Sequence, residues 1–123
     1  MKVLDPGHRY LLAHLDGDAE APLVFVKRVG EKYPGNADAY AGTTTQEVLR
    51  ALIERSKFVD AQEPSTWNAE VLGLLRRALW VLEYRAALKR GEADRFFDVI
   101  SAAEIESLPT CTTCGHVACG VHA

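Results

Sequence analysis

The sequence predicts an α+β fold: an N-terminal antiparallel β-hairpin or small sheet, then a two-helix antiparallel hairpin, then a short Cys/His-rich C-terminal tail. Three observations predict it. Two short runs of aliphatic and aromatic residues flank a turn signal, a capping box opens a long amphipathic stretch, and a Pro-Ser break separates that stretch from a second one. With 123 residues, 48% hydrophobic and 25% charged, the chain has the makeup of an ordinary globular domain. Residues 1–110 read as a single α+β domain and residues 111–123 as the tail.

Arg9–Leu15 and Leu23–Val29 are the two runs, parted by Asp16-Gly17-Asp18 and Pro22, and they read as antiparallel strands. Gly30–Gly42 follows, carrying Pro34, Gly35, Asn36, Asp38 and two tyrosines, and reads as a loop. It is long for a plain connector, and loops of that length are often functional.

The first helix opens at Thr44-Thr45-Gln46-Glu47, where the Thr44 hydroxyl and the Glu47 carboxylate suit the orphan backbone donors of a capping box. It is expected to reach Asp60. Val48, Leu49, Leu52, Ile53 and Val59 share one face, the expected core stripe, whereas Phe58 falls about 180° from Leu49, among polar neighbours. Pro64 and Ser65 then reverse the chain. The second helix starts at Ser65 or Asn68, both good N-caps, and stops at Gly91 after Lys89 and Arg90, a span of roughly 22 residues or about 33 Å. Leu72, Leu75, Leu79, Leu82 and Ala86 form one stripe on it, and Trp80, Tyr84, Ala87 and Leu88 a second on the opposite side. A helix apolar on both sides packs on two partners. One is the first helix; the other is the sheet, which needs support because an isolated hairpin is marginal, or the same helix of a second subunit, the C2 solution common among small proteins.

A net charge of -3 gives no global drive toward DNA or anionic membranes, so any anion must be held by a local site. No signal-peptide pattern opens the chain and no run of 18 apolar residues interrupts it, which leads to the expectation of a cytoplasmic protein. Three cysteines crowded into Cys111–Cys119 agree with a reducing compartment. Cys111, Cys114, Cys119 and His122, with His116 as the alternative fourth ligand, have the composition of a zinc knuckle, and Gly115 and Gly120 permit its bends. Four protein ligands leave no open position, so such a zinc would be structural. The plainer account is a tail of reduced cysteines, and no cofactor is otherwise required.

Enzyme chemistry finds no support. The G-x-S-x-G, G-K-[ST], H-E-x-x-H and G-x-G-x-x-G signatures are all missing, and His8 and His14, on a putative strand, have no nucleophile or carboxylate placed by spacing. A binding site is easier to assemble. Lys27 and Arg28 are neighbours on a strand and point to opposite faces, so one is available to a cleft while the other is solvated. Arg50, Arg55, Arg76, Arg77 and Arg85 decorate the helices, where most arginines are simply solvated. Arg85 stands out because it borders Leu74, Ala78 and Val81 between the two apolar stripes, where a partly desolvated guanidinium wants an anion. Phe58 on a polar face is suited to stacking on a planar base, or else turns a helix end into its own core. Asn68 is an N-cap whose amide also has the groups to read a base or ribose.

These residues resemble a known family. Phe25-Val26-Lys27-Arg28, then Thr45-Gln46-Glu47-Val48-Leu49-Arg50-Ala51-Leu52-Ile53-x-Arg55, then Leu75-Arg76-x-Ala78-Leu79-x-x-Leu82-Glu83-x-Arg85-Ala86-Ala87 is similar to the first class of phage anti-Thoeris proteins, over about residues 23–90. The resemblance implies a non-catalytic, phage- or prophage-encoded sponge in the bacterial cytoplasm. Such a protein sequesters a cyclic ADP-ribose isomer made by a TIR-domain enzyme, and some members also take cyclic di- or trinucleotides. It implies dimers, assembling to hexamers as trimers of dimers, with ligand at subunit interfaces and no membrane or DNA partner. The family's aromatic near the end of the first helix looks like Phe58, its asparagine at the start of the second like Asn68, and its arginine within the second like Arg85. Arg28 or Lys27 would supply a basic residue from the sheet, and Arg50 is a further candidate. The Cys/His tail has no part in that mechanism, and the rival from another class is a small zinc-containing dimeric scaffold or regulatory protein.

Overall fold

The chain folds as β1(Lys2–Asp5), β2(Arg9–Ala13), β3(Glu20–Val24), α1(Thr45–Gln62) and α2(Thr66–Arg90) in a computed structural model that describes residues 1–93. The α+β class is as predicted. Two compact units divide the chain, Met1–Val48 and the residues from Leu49 onward.

In the first unit an antiparallel sheet runs in the order β1-β2-β3. β1 is a strand that the two-strand expectation lacked. Its turn into β2 is made by Pro6 and Gly7: proline pre-sets its own φ, Gly7 sits at φ 82, and the His8 N–H donates to the Asp5 carbonyl at 2.9 Å, the pattern of a type II turn. β2 and β3 pair from Arg9↔Val24 to Ala13↔Glu20 around the Asp16-Gly17-Asp18 turn. Three boundaries move, one of them the end of β3, which falls at Val24 and not at Val29, so that Lys27 and Arg28 lie beyond the strand. β2 ends at Ala13, so His8 and His14 flank the strand instead of lying on it. β3 begins at Glu20 and includes Pro22, which was expected in the turn. The order puts β3 at an edge, where a residue without an N–H is tolerated.

Beyond Val24 the chain stays extended and pairs with the far end of the Gly30–Gly42 loop. Val26 N–H donates to Thr43 O (2.9 Å), Thr43 N–H to Val24 O (2.8 Å), and Lys27 and Tyr40 exchange both backbone bonds at 3.0 and 3.1 Å. The loop therefore folds back along the strand that precedes it. Gly42 makes the approach possible: a Cβ there would lie 2.6 Å from the Val24 oxygen and the Val26 nitrogen, against backbone that has nowhere to go.

The Thr44 hydroxyl accepts the Glu47 N–H at 3.2 Å, as the capping box predicts, and α1, which the boundary between the units divides, continues to Gln62, two residues past the expected end. Ser65, not Asn68, caps α2: its backbone is extended and its hydroxyl accepts the Asn68 N–H at 3.0 Å. The Asp60 carboxylate accepts the Ser65 N–H (3.2 Å), and the Asn68 amide donates to the Glu63 carbonyl (3.1 Å), so the short connector is stitched from both sides. Gly91 ends α2 at φ 70, with the Gly91 and Glu92 N–H groups returning to Leu88 and Ala87. An ion pair between Arg50 of α1 and Glu83 of α2 links the two helices.

Burial departs from the expected stripes. Among the described residues only Tyr84 (4% exposed) and Ala87 (1%) are buried hydrophobics. Both belong to the Trp80–Leu88 side, and Trp80 stacks on Tyr84 at 5.5 Å and 18°. The side expected to be in surplus is thus the best covered in the single chain. Leu52, expected in the α1 core stripe, is 44% exposed instead, whereas Val48, Leu49, Ile53 and Val59 are half-buried.

Gly42→Ala tests the close approach. It should lower stability by about 1–3 kcal/mol, the usual cost of forcing atoms into packed space, read as a fall in the denaturant midpoint. Gly73→Ala, with open space around its Cβ, should not destabilise.

Candidate functional site

On the hairpin, Phe58 is 58% exposed near the end of α1, so it does not turn into its own core. Arg85 is also exposed, not partly desolvated as its neighbours suggested, and it has no ion pair among the described residues. Its neighbours explain why. Trp67 (82%), Val71 (49%), Leu74 (61%) and Ala78 are exposed along α2, and at 3.6 residues per turn they share one line that continues through half-buried Val81 to Arg85. A guanidinium at the end of an uncovered stripe is as wet as the stripe. Arg50 is committed to Glu83. Asn68 is half-buried, with its amide nitrogen spent on the connector.

In the sheet unit the two adjacent cations have different fates. The Lys27 side chain is only 12% exposed, and its ammonium donates to Asp5 Oδ2 at 2.8 Å. The Tyr40 hydroxyl donates to the same oxygen at 2.5 Å. Two cations flank the Tyr40 ring, Arg9 at 5.2 Å and Lys27 at 5.6 Å from its centroid, and His8 meets it edge-on at 6.4 Å. Arg28 is exposed and held through its backbone, its carbonyl accepting the Asn36 amide at 2.8 Å.

Electrostatics follow from that geometry. The Lys27 ammonium, then the Tyr40 hydroxyl, both donating to the carboxylate, hold Asp5 below its usual 3.8. Burial, then the Asp5 carboxylate accepting its proton, pushes Tyr40 up to about 12. At neutral pH the cluster therefore holds an ionised Asp5 and a neutral, donating Tyr40. That is an anchoring arrangement: a tyrosine this reluctant to ionise is poorly suited to act as a base.

Sequence reasoning missed Asp5 and Tyr40. Asp5-Pro6-Gly7 is a turn signal that points to a strand on either side, and it was the cue to β1. Tyr40 carried no cue of its own. Cys111, Cys114, His116, Cys119 and His122 lie outside the described residues, and among the described residues no three His, Cys, Asp or Glu side chains come together as a metal site. No described helix is long and apolar enough to cross a membrane. Comparison with protein-family models, curated proteins and solved structures returned no match.

The cluster predicts a pH window. Asp5 has a depressed folded pKa, so its contribution is present above the unfolded value of 3.8 and lost as pH falls through the folded one. Tyr40 has a raised one, so its contribution is present below 10 and lost as pH rises toward about 12. Unfolding midpoints measured from pH 3 to 11 should fall off at both ends, and Tyr40→Phe should flatten the alkaline limb.

Proposed function

We propose that this protein is a non-catalytic sponge that sequesters a cyclic ADP-ribose isomer, and so denies a bacterial anti-phage defence its signal. The observation that carries the reading is the line of exposed Trp67, Val71, Leu74, Ala78 and Arg85 on α2, with half-buried Val81 among them, together with exposed Phe58 on α1. The sequence resemblance leads to the same reading: the aromatic and the arginine that it assigns to the ligand are both open to solvent in the single chain. Exposed Trp67, Val71 and Leu74, at successive turns of one helix, make a contiguous apolar patch of the kind that marks an interaction surface.

The line has the spacing of a helix seam, alternating four and three residues. It also reads the same from either end, so an antiparallel second copy sets Arg85 opposite Trp67 of the partner subunit, apolar against apolar between them. That contact suits a guanidinium on an indole face. Under this reading the seam is the Trp67–Arg85 face and not the Trp80–Leu88 side, and homodimers pair there before any assembly to hexamers. Arg85 pairs with the ligand's pyrophosphate and Phe58 stacks on adenine, while closure of the seam excludes water. Asn68 contributes at most its amide oxygen, and Arg50 must leave Glu83 to take part. Cyclic di- or trinucleotides are a second ligand class for the same protein, and no bond is made or broken in any of these steps.

Three measurements test the reading. A cyclic ADP-ribose isomer incubated with the protein should vanish from the free pool and return intact after heat denaturation; a cleaved product would show an enzyme instead. Arg85→Ala and Phe58→Ala should each weaken capture by about 10- to 100-fold, the scale of a lost charge-assisted hydrogen bond or base stack. Leu74→Glu should yield folded monomers that capture little, as light scattering would report.

A further inference from the structure

The two halves of the Gly30–Gly42 loop are held by different means. The near half holds itself: Tyr33 N–H donates to Gly30 O at 3.0 Å, Asn36 N–H to Tyr33 O at 3.2 Å, and the Asn36 amide to Arg28 O at 2.8 Å. Residues 37–43 have no such support. Among the described residues no backbone hydrogen bond joins that segment to itself, and its donors at Tyr40 and Thr43 cross to Lys27 and Val24. Two bonds return, from Lys27 N–H to Tyr40 O and from Val26 N–H to Thr43 O. A segment held only by such crossings comes away whole once they part.

Charge reinforces the crossings. Asp5 Oδ2 accepts from Lys27 Nζ at 2.8 Å and from the Tyr40 hydroxyl at 2.5 Å, so one oxygen ties β1 to both sides of the joint. Neutralising that carboxylate does more than remove a bond. The Lys27 ammonium, on a side chain only 12% exposed, would be left without it beside the Arg9 guanidinium on the same Tyr40 ring, and a cation so placed is costly to keep. His8, Arg9 and Asp38 also act on the joint through their charges.

We propose that residues 37–43 are a strap that opens and closes as one unit over a sheet that stays folded, and that the charge on Asp5 is its latch. Nothing in this depends on what the protein binds. The latch is set at neutral pH, because the Lys27 ammonium, then the Tyr40 hydroxyl, hold Asp5 below 3.8, and it lets go as pH falls through that lowered value. In acid the open strap is therefore populated before the β1-β2-β3 ladder melts. Members of a single joint are not additive when removed together, so losing two of the three costs no more than losing the worse one.

Neighbouring amides report the two parts separately. Phe25 N–H donates to His8 O at 2.7 Å, toward the sheet, whereas Val26 N–H crosses to Thr43 O on the strap at 2.9 Å. Backbone amide exchange on the full-length protein, expressed as protection relative to unstructured chain, therefore tells a local opening from a melted sheet. At neutral pH, Asp5→Asn, which keeps the shape and an acceptor oxygen but not the charge, should cut protection at Val26, Lys27, Tyr40 and Thr43 by one common factor, about tenfold or more. Phe25 and the amides of β2 should keep theirs. Lys27→Met should behave alike, with the double variant no worse than the poorer single one, while Lys27→Arg, which keeps the charge and most of the reach, should stay latched. The unaltered protein, titrated from pH 7 to about pH 2, should reproduce the pattern, which covers the case of a variant that fails to fold. Equal losses at Phe25 and Val26 overturn the proposal, because the sheet would then melt with the strap. Unequal losses among the four crossing amides overturn it too, since that is fraying and not a unit. Undiminished protection in Asp5→Asn would show that the carboxylate is no latch.

Discussion

One carboxylate oxygen, Asp5 Oδ2, fastens the sheet unit. None of residues 1–48 is buried, and the apolar side chains of the sheet, Tyr10, Leu12, Leu23 and Phe25 among them, are half-buried. A small sheet buries too little surface to stand on hydrophobic burial alone. Here the end of β1, the extension of β3 and the far end of the Gly30–Gly42 loop meet on a single acceptor, and the Tyr40 ring carries two cations beside it. Charge-assisted bonds are stronger than neutral ones and are worth most where water is partly excluded, as it is around the Lys27 ammonium. The backbone bonds of Val26, Lys27, Tyr40 and Thr43 continue the same joint, and Gly42 permits it by having no side chain.

The helical hairpin works by a different rule. Its caps are all satisfied locally: Thr44 and Ser65 at the starts, Gly91 at the end, Asp60 and Asn68 across the connector. Secondary structure is therefore secured by short-range contacts, which leaves the long faces of the helices free to serve other surfaces. Burial concentrates around Tyr84 and Ala87, and the opposite line from Trp67 to Leu74 faces water. Trp80 joins the two regimes. Its ring lies against Arg77 and Tyr84, yet its buried indole N–H has no acceptor among the described residues, an arrangement that costs stability unless something supplies one.

How much of this was legible in the sequence depended on whether a signal was local. Helix ends were legible almost to the residue, because Thr44, Ser65 and Gly91 act within four positions of themselves. Thr44 and Gly91 fell where expected, and Ser65 won over Asn68 because Asn68 is placed to donate to it instead. The strand content was half legible: the turn at Asp16-Gly17-Asp18 spoke for β2 and β3, while β1 hid behind an Asp-Pro-Gly signal so close to the start that no flanking run drew attention to it. Site residues divided in the same way. The angle of Phe58 on α1 left open exposure or a turn into its own core, and the structure leaves it exposed. The wetness of Arg85 did not follow from its angle either, because helix angle says which residues are neighbours and not whether anything covers them. The capture of Lys27 by Asp5 joins positions 22 apart, and that of Tyr40 joins positions 35 apart; pairings of that range have no periodicity to betray them.

Pro22 has a consequence that reaches beyond the sheet it sits in. A sheet edge is a template on which a neighbouring chain can add a strand, and a protein that leaves tryptophan and leucine in water is exposed to that kind of open-ended growth. Both edges here are blunted. β3 has a missing donor at Pro22 and, from Val24 onward, its outward groups are already taken by Tyr40 and Thr43. β1 is four residues long with a register shift between Val3 and Asp5. Strand addition through either edge of the sheet is thereby closed off, so a neighbouring chain finds no template there.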